Sequence, residues 1–310
     1  MKVTHAHLLS LLLVLLAAAP TRAEDPPATT EPPREKPRKE SLTAINKALT
    51  DPVSEAWSIT LQENNFRISP SIGQGERWSS QLQFQGALPI ALTPNWDLIT
   101  RPSITLFSSQ LHPQPENPSE IDRTTAFGDI VLLQLLSPRR QLLSNWIIGV
   151  GPTWIFPSGV SRWTTLGKWQ VGPAAAFGYL SDKWILAALF QNWTSFGGSG
   201  PRATNSMNLQ PIAAYFFPNG WSVGYSGSIL ANWKASATNA YTVPIGLQVS
   251  KVVLLGPVPV KFALGAQWMP LHSANFGQVW NVQLFIQALR PKFLRGYLSD
   301  PSSLKLRWEE

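Results

Sequence analysis

The chain has 310 residues, a formal net charge of +7 and no cysteine; only 14% of its residues are charged and 14 are tryptophan, against a charged fraction of about a quarter in ordinary soluble domains. Disulfide frameworks, cysteine metal sites and a lipid-modified cysteine are thereby excluded, and the surface is not that of an ordinary soluble domain. The basic residues are dispersed through apolar segments with no recognition motif, which speaks against nucleic-acid binding.

In chain order, Lys2 precedes the apolar run "LLSLLLVLLAAAP", and small residues follow at Thr21 and Ala23. Residues 1–23 read as a secretory signal cleaved near Ala23, since the run is shorter than the roughly 20 residues a spanning helix needs. Residues 24–52 read as a proline-rich tether that ends in a short helix. "EDPPATTEPPREKPRKE" mixes proline with both charge signs and cannot order itself by burial. Ser41 then offers an N-cap, Leu42, Ile45 and Leu49 fall at helical spacing, and Pro52 ends the helix. That helix is either a connector or a lid on a barrel mouth.

From Trp57 the period changes to two. "WSSQLQFQGAL" puts Trp78, Leu82, Phe84 and Leu88 on one face and Ser79, Gln81, Gln83 and Gln85 on the other, the alternation of a two-sided strand. Twelve candidate strands follow this rule, near 57–66, 78–89, 96–107, 125–137, 145–156, 168–180, 184–196, 206–217, 221–233, 241–251, 258–269 and 278–289. Their connections alternate between short turns such as "SDK" and "PNG" and mostly longer loops, among them 108–124. That arrangement predicts an all-β, antiparallel up-and-down transmembrane barrel over residues 53–290, with tight turns on the periplasmic side, longer loops outside and a periplasmic tail at 291–310.

A soluble sandwich would alternate too, but its polar face would carry abundant charge. Between Thr125 and Arg290 the only acids are Asp129 and Asp182, and the polar parity is Gln, Ser, Asn, Thr, Gly and Ala. The amide-rich parity is therefore assigned to an enclosed lumen and the apolar parity to lipid, which demands closure because unpaired backbone in hydrocarbon costs several kcal/mol per group. Tryptophans agree with this orientation. Trp57, Trp96, Trp146, Trp184 and Trp221 stand at short-turn ends, and Trp78, Trp154, Trp169, Trp233, Trp268 and Trp280 at the other ends, the places of two aromatic girdles.

The ordered pieces "LTDPVSEAWSITLQENNF", "RWSSQLQFQGALPIALTPNWDLITRPSI", "WIIGVGPTWIFPSG", "LGKWQVGPAAAFG", "LQPIAAYFFPNGWSVG" and "YTVPIGLQVSKVV" carry a resemblance over about residues 49–290. The chain resembles the bacterial outer-membrane channel family named for the meta-pathway of phenol degradation. That resemblance implies a twelve-stranded barrel that passes small aromatic or hydrophobic compounds, with no catalytic motif. The extended tail after residue 290 and the proline-rich spacer depart from the family pattern, and the tail obscures which segment the outer-membrane assembly machinery reads.

Parity nominates Gln81, Gln83, Gln85, Asp97, Arg101, Gln170, Gln210, Gln248, Lys261, Gln267 and Gln283 as lumen-lining residues. Asp97 and Arg101 share a face about 13 Å apart along their strand, with the prospect of pairing across the barrel. The segment "FGDIVLLQLL" is apolar on both parities, so its lumen face is open from sequence. Lys261 on a lumen wall suggests a weak preference for anionic solutes. Arg162, Lys168, Arg202 and Lys234 fall at outer strand ends or loops, where they would meet lipopolysaccharide phosphates or simply water. The mature chain keeps two histidines, His112 and His272, with no orienting partner for a nucleophile and no ligand cluster, so neither catalysis nor a metal is expected, nor any cofactor. The sequence thus predicts an outer-membrane channel for passive or facilitated diffusion of a small-molecule solute. The alternative is a closed barrel with a structural or surface-interaction role through its loops.

Overall fold

The computed structural model describes residues 41–73, 75–290 and 294–306. Residues 1–40, on which the expected signal (1–23) and the first part of the expected tether (24–40) fall, lie outside the described residues. Helix α1 (Leu42–Thr50) comes first, and Ser41 caps it by accepting a hydrogen bond from the Ala44 N–H at 3.1 Å. The strands follow as β1 (Trp57–Ser69), β2 (Arg77–Ala91), β3 (Trp96–Pro113), β4 (Ile121–Phe127), β5 (Ile130–Pro138), β6 (Trp146–Phe156), β7 (Trp169–Leu180), β8 (Trp184–Gly197) and β9 (Asn205–Phe216). Then come β10 (Trp221–Ser226), β11 (Ile229–Asn232), β12 (Tyr241–Leu255), β13 (Val258–Leu271) and β14 (Gly277–Arg290). A one-turn helix α2 (Arg140–Leu143) sits between β5 and β6, and a hairpin of β15 (Leu294–Tyr297) and β16 (Asp300–Leu306) ends the described chain.

Each strand pairs antiparallel with its neighbours, and β1 pairs with β14 from Trp57↔Arg290 to Ser69↔Gly277, so the sheet closes on itself and leaves no edge. β4 and β5 both pair with β3 and form one stave; β10 and β11 both pair with β9 and β12 and form another. The result is a closed barrel of twelve staves.

Two staves are interrupted where the sequence implied single strands. At Gly128-Asp129 the register against β3 slips by one residue and returns between Phe107 and Gln110, and a Cβ on Gly128 would fall 2.5 Å from the Phe107 ring. At Gly227-Ser228 the pairing with β9 lapses and then resumes in the same register, so the two parts of that stave keep one parity. The loop expected at 108–124 is largely strand, since β3 runs to Pro113 and β4 begins at Ile121.

Inward and outward faces follow the pleat. Leu133, Leu135 and Ser137 of β5 are buried inside while Leu136 is exposed outside, which settles the face that sequence left open. Outside, Val150, Phe177, Leu186, Ile245, Leu247 and Leu264 are each more than half exposed. So much exposed aliphatic and aromatic surface requires an apolar surrounding.

The short-turn end is shaped by local backbone chemistry. Between β9 and β10, Pro218-Asn219-Gly220 turns with Asn219 at φ 59° and Gly220 at φ 78°, both left-handed. A Cβ on Gly220 would also meet Leu42 Cβ of α1 at 2.9 Å, so glycine serves the turn and the helix contact together. The β15–β16 hairpin docks at the same end of the barrel, its Leu298 and Ser299 N–H groups donating to the Ala91 and Leu92 carbonyls of the β2–β3 turn.

Candidate functional site

The barrel interior is built in three layers. At the short-turn end, Ile99, Leu133, Leu135, Ile147, Ile185 and Phe216 belong to one apolar cluster made by staves β3 and β5 to β9. At the long-loop end, Phe66, Ile68, Leu111 and Met269 form a smaller one. Amide and hydroxyl side chains fill the middle.

The hub of that middle layer is Asn64, whose Oδ1 accepts from Gln62 Nε2 at 2.9 Å, Gln283 Nε2 at 3.0 Å and Asn281 Nδ2 at 3.2 Å. On the other side of the barrel Thr153 Oγ1 donates to Gln191 Oε1 at 3.0 Å and accepts from Trp193 Nε1 at 3.0 Å. Gln210 donates to Ser226 Oγ at 2.9 Å, and Gln267 reaches the Ser226 carbonyl at 3.4 Å. Several inward side chains are sealed from solvent: Gln170 and Asn281 are 1% exposed. Packing seals these two side chains locally, whereas Gln81, Gln83 and Gln85 on the same inward parity are only half-buried.

All eleven nominated lumen residues lie on the inward parity. Gln81, Gln83 and Gln85 line β2, Asp97 and Arg101 line β3, and Gln170, Gln210, Gln248, Lys261, Gln267 and Gln283 lie on β7, β9, β12, β13, β13 and β14. Gln170 Oε1 accepts from Thr204 Oγ1 at 2.9 Å. Asp97 and Arg101 do not pair with each other. Asp97 Oδ2 instead lies 3.4 Å from Arg139 Nε at the β5–β6 turn, because the strand rise separates it from Arg101.

The short-turn mouth is occupied by residues 42–55. α1 lies against the β9–β10 turn: Asn46 Nδ2 donates to the Gly220 carbonyl at 3.0 Å, Thr43 Oγ1 to the Phe217 carbonyl at 3.0 Å, and Ile45 and Leu49 pack on Val252. Val53 then enters the apolar cluster near Leu135, where a Cβ on Gly149 would stand 3.0 Å from Val53 Cγ1. Of the two placements open from sequence, the helix takes the mouth.

Arginines on the opposite turn hold the far end of this segment. Arg139 Nη2 donates to Glu55 Oε2 at 3.1 Å, the Arg140 N–H donates to Glu55 Oε1 at 3.1 Å, and the Arg140 guanidinium forms an ion pair with Asp51, whose side chain is 3% exposed. Burial disfavours the Arg139 charge, but the hydrogen bond to Glu55 and the field of Asp97 and Glu55 outweigh it and hold its pKa above the usual guanidinium range. Sequence reasoning did not single out Asp51, Glu55, Arg139 or Arg140. The signal available was two arginines in a short turn that faces a segment with two acids.

The nominated tryptophans divide between the two ends of the strands, and Trp78, Trp96, Trp146, Trp169, Trp184, Trp221, Trp233, Trp268 and Trp280 are exposed while Trp57 and Trp154 are half-buried. Trp57 Nε1 donates to the Pro89 carbonyl at 2.8 Å, and Lys251 sits 4.9 Å from the Trp221 ring centroid. Two further indoles have other places: Trp193 is inside, and Trp163 of the 157–168 loop stacks on His112 at 4.3 Å. The same loop is tied to the Gly128-Asp129 interruption, because Asp129 accepts from the Gly159 and Leu166 N–H groups at 3.0 and 3.3 Å. Arg162 lies over Trp163, Lys168 Nζ donates to the Gly198 carbonyl, and Arg202 and Lys234 stand in the long loops. Among the described residues no group of three or more His, Asp or Glu could hold a metal ion.

No protein-family model and no curated protein matches the chain. Among solved structures, an outer membrane channel of Pseudomonas putida F1 is similar over 78% of this chain and 97% of its own, with a TM-score of 0.52 at 14% identity. The Pseudomonas putida toluene transporter matches over 78% of this chain and 91% of its own, with a TM-score of 0.37 at 10% identity. The first likeness establishes the fold, that of an outer-membrane barrel; the second is too loose to add to it.

Proposed function

We propose that the chain is a Gram-negative outer-membrane channel of the phenol meta-pathway type, which passes small aromatic or hydrophobic solutes by diffusion and rests closed. The observation that carries this reading is the mouth segment. A closed barrel needs no separate stopper, yet residues 42–55 cross one opening and are held there by ion pairs and three inserted aliphatic side chains. Held that way, the segment can leave without unmaking the wall, since it contributes no strand to the barrel. In this reading the short turns and both chain ends face the periplasm, the long loops with Arg162, Lys168, Arg202 and Lys234 face lipopolysaccharide, and the assembly machinery inserts the barrel.

The packed interior also favours a second reading, a permanently closed barrel that acts through its loops. Planar-bilayer recording and liposome uptake with the purified full chain separate the two. Current steps, together with uptake of a small neutral aromatic such as phenylethanol, support the channel. Silence in both assays, for the natural chain and for a variant with the mouth ion pairs removed, supports the closed barrel.

A further inference from the structure

The charges of the barrel interior are unequally served. At the mouth, Arg139 and Arg140 face Asp97, Glu55 and Asp51. Deeper inside, Lys261 is buried and Arg101 half-buried, and neither lies within ion-pair distance of an acid among the described residues. Arg101 reaches the Gln85 Oε1 at 3.3 Å and the Pro52 carbonyl at 3.5 Å, and its Nε has no partner. Lys261 Nζ donates to Thr50 Oγ1 at 2.7 Å. Two cations from staves far apart in the wall therefore converge on the residues either side of Asp51 and touch only neutral oxygens, the Asp51 carboxylate being paired with Arg140.

A cation held away from water without a contacting counter-charge is costly, so a site that keeps Lys261 buried and Arg101 half-buried in this way is set up to receive an anion. The surroundings define the rest of that ligand. Arg101 pairs in register with Leu133, and Ile99 lies two residues away on the same inward face, so apolar wall adjoins the guanidinium. Beside Lys261 a cavity of about 30 Å³ is lined by Thr50, Ser222, Gln248 and Ser250. That space suits a water or a single polar group, not a whole solute. Gln248 Oε1, on that cavity, also lacks a donor.

We infer that Arg101 and Lys261 form the seat for the carboxylate of an amphiphilic organic anion, one with an apolar body, which takes the place of residues 50–52 when the mouth segment withdraws. This rests on the channel reading for its physiological role, while the seat itself is a binding site that can be measured apart from transport. Arg101 supplies a planar fork suited to both carboxylate oxygens, Lys261 a point charge, and the neighbouring Ile99 and Leu133 a bed for the body of the solute.

The test uses the full chain and three probes matched in their ring, phenylacetate, phenylethanol and phenethylamine, with the variants Arg101→Gln, Lys261→Gln and the double variant. Glutamine keeps a hydrogen-bonding end without charge, and heat-modified migration on gels checks that the barrels are folded. Equilibrium dialysis against detergent-solubilised protein is done in the natural chain and in the Arg140→Gln background, where the mouth segment is loosened. Bound phenylacetate is expected to exceed the alcohol and the amine about tenfold and to fall to the level of the alcohol in the double variant. Excess phosphate is expected to leave bound phenylacetate unchanged. Equal binding of all three probes, retention in the double variant, or displacement by phosphate as effective as by phenylacetate would overturn the inference. In bilayers the same seat makes the conductance anion-selective by about threefold, with the preference abolished in the double variant; a conducting but cation-selective natural chain contradicts the seat and leaves the channel intact. Absence of any conductance with carboxylate-specific binding preserved contradicts the channel and leaves the seat.

Discussion

Replacing Arg140 by glutamine removes the cation that faces Asp51 where the mouth segment crosses from α1 to β1. The Asp51 side chain is 3% exposed, and after the change its carboxylate keeps the Val53 N–H at 3.0 Å as a donor. Breaking a buried ion pair from one side costs about 3–5 kcal/mol. Because a third of the Arg140 side chain is exposed, and because one donor remains to Asp51, roughly 2 kcal/mol is the expected loss here. The loss falls on the closed state alone, as the freed carboxylate is hydrated once the segment swings out. With about 1.4 kcal/mol per factor of ten, the closed-to-open ratio drops roughly thirtyfold. Single-channel recording of the purified chain in planar bilayers reads this directly as open probability, with Arg140→Lys as the control that retains a cation. An open probability in Arg140→Gln equal to that of the natural chain, with the barrel intact on gels, refutes the argument that this pair holds the mouth shut.

Four other consequences are open to measurement. Gly149→Val places methyl groups where Val53 Cγ1 already stands 3.0 Å from a modest Cβ, and it should raise open probability as Arg140→Gln does; an unchanged value means that Val53 does not seal the mouth. Asn64→Leu leaves the amides of Gln62, Asn281 and Gln283 without their shared acceptor and should lower stability to urea by about 2–4 kcal/mol, whereas a loss under about 1 kcal/mol shows that the network is dispensable. Glu63 stands on the outward face, paired with Leu82 and with the 46% exposed Leu284, so Glu63→Leu should stabilise the barrel in lipid by about 1–2 kcal/mol; destabilisation means that Glu63 has a bound partner in the membrane. Asp129→Ala frees the Gly159 and Leu166 N–H groups and should make the 157–168 loop several times more sensitive to proteolysis on intact cells, and unaltered cleavage shows that the loop is held by Thr164 and Trp163 instead.

The barrel was legible in the sequence because period-two patterning survives wherever one face is apolar, as in Trp78, Leu82 and Phe84 against Gln81, Gln83 and Gln85. It fails where both faces are apolar. In β5 the lumen side of Leu133 and Leu135 came only from packing, since an interior with a greasy layer leaves no contrast for parity to read. The interrupted staves were hidden for a related reason: Gly128 and Gly227 look like ordinary strand glycines until their neighbours Phe107 and Tyr225 are placed. The mouth contacts were the least legible. Arg101 and Pro52, or Lys261 and Thr50, lie far apart in sequence and meet only because the barrel closes. Polar residues on the outward face, Glu63, Asn65 and Arg67, also escaped notice, because the apolar residues Trp57, Ile59 and Leu61 before them set the parity of the strand.

The most direct measurement is solvent accessibility around the wall. Nitroxide labels are attached to single cysteines in the otherwise cysteine-free chain, reconstituted in lipid, at Val223, Leu264 and Leu284 on the outward face and at Gln83, Gln248 and Gln283 on the inward face. The first three are expected to collide with dissolved oxygen in the acyl region and to be shielded from an aqueous nickel chelate, and the second three to show no oxygen excess. Lipid contact at Gln83, Gln248 and Gln283, with Val223, Leu264 and Leu284 shielded from it, would mean that the barrel wall is turned the other way round.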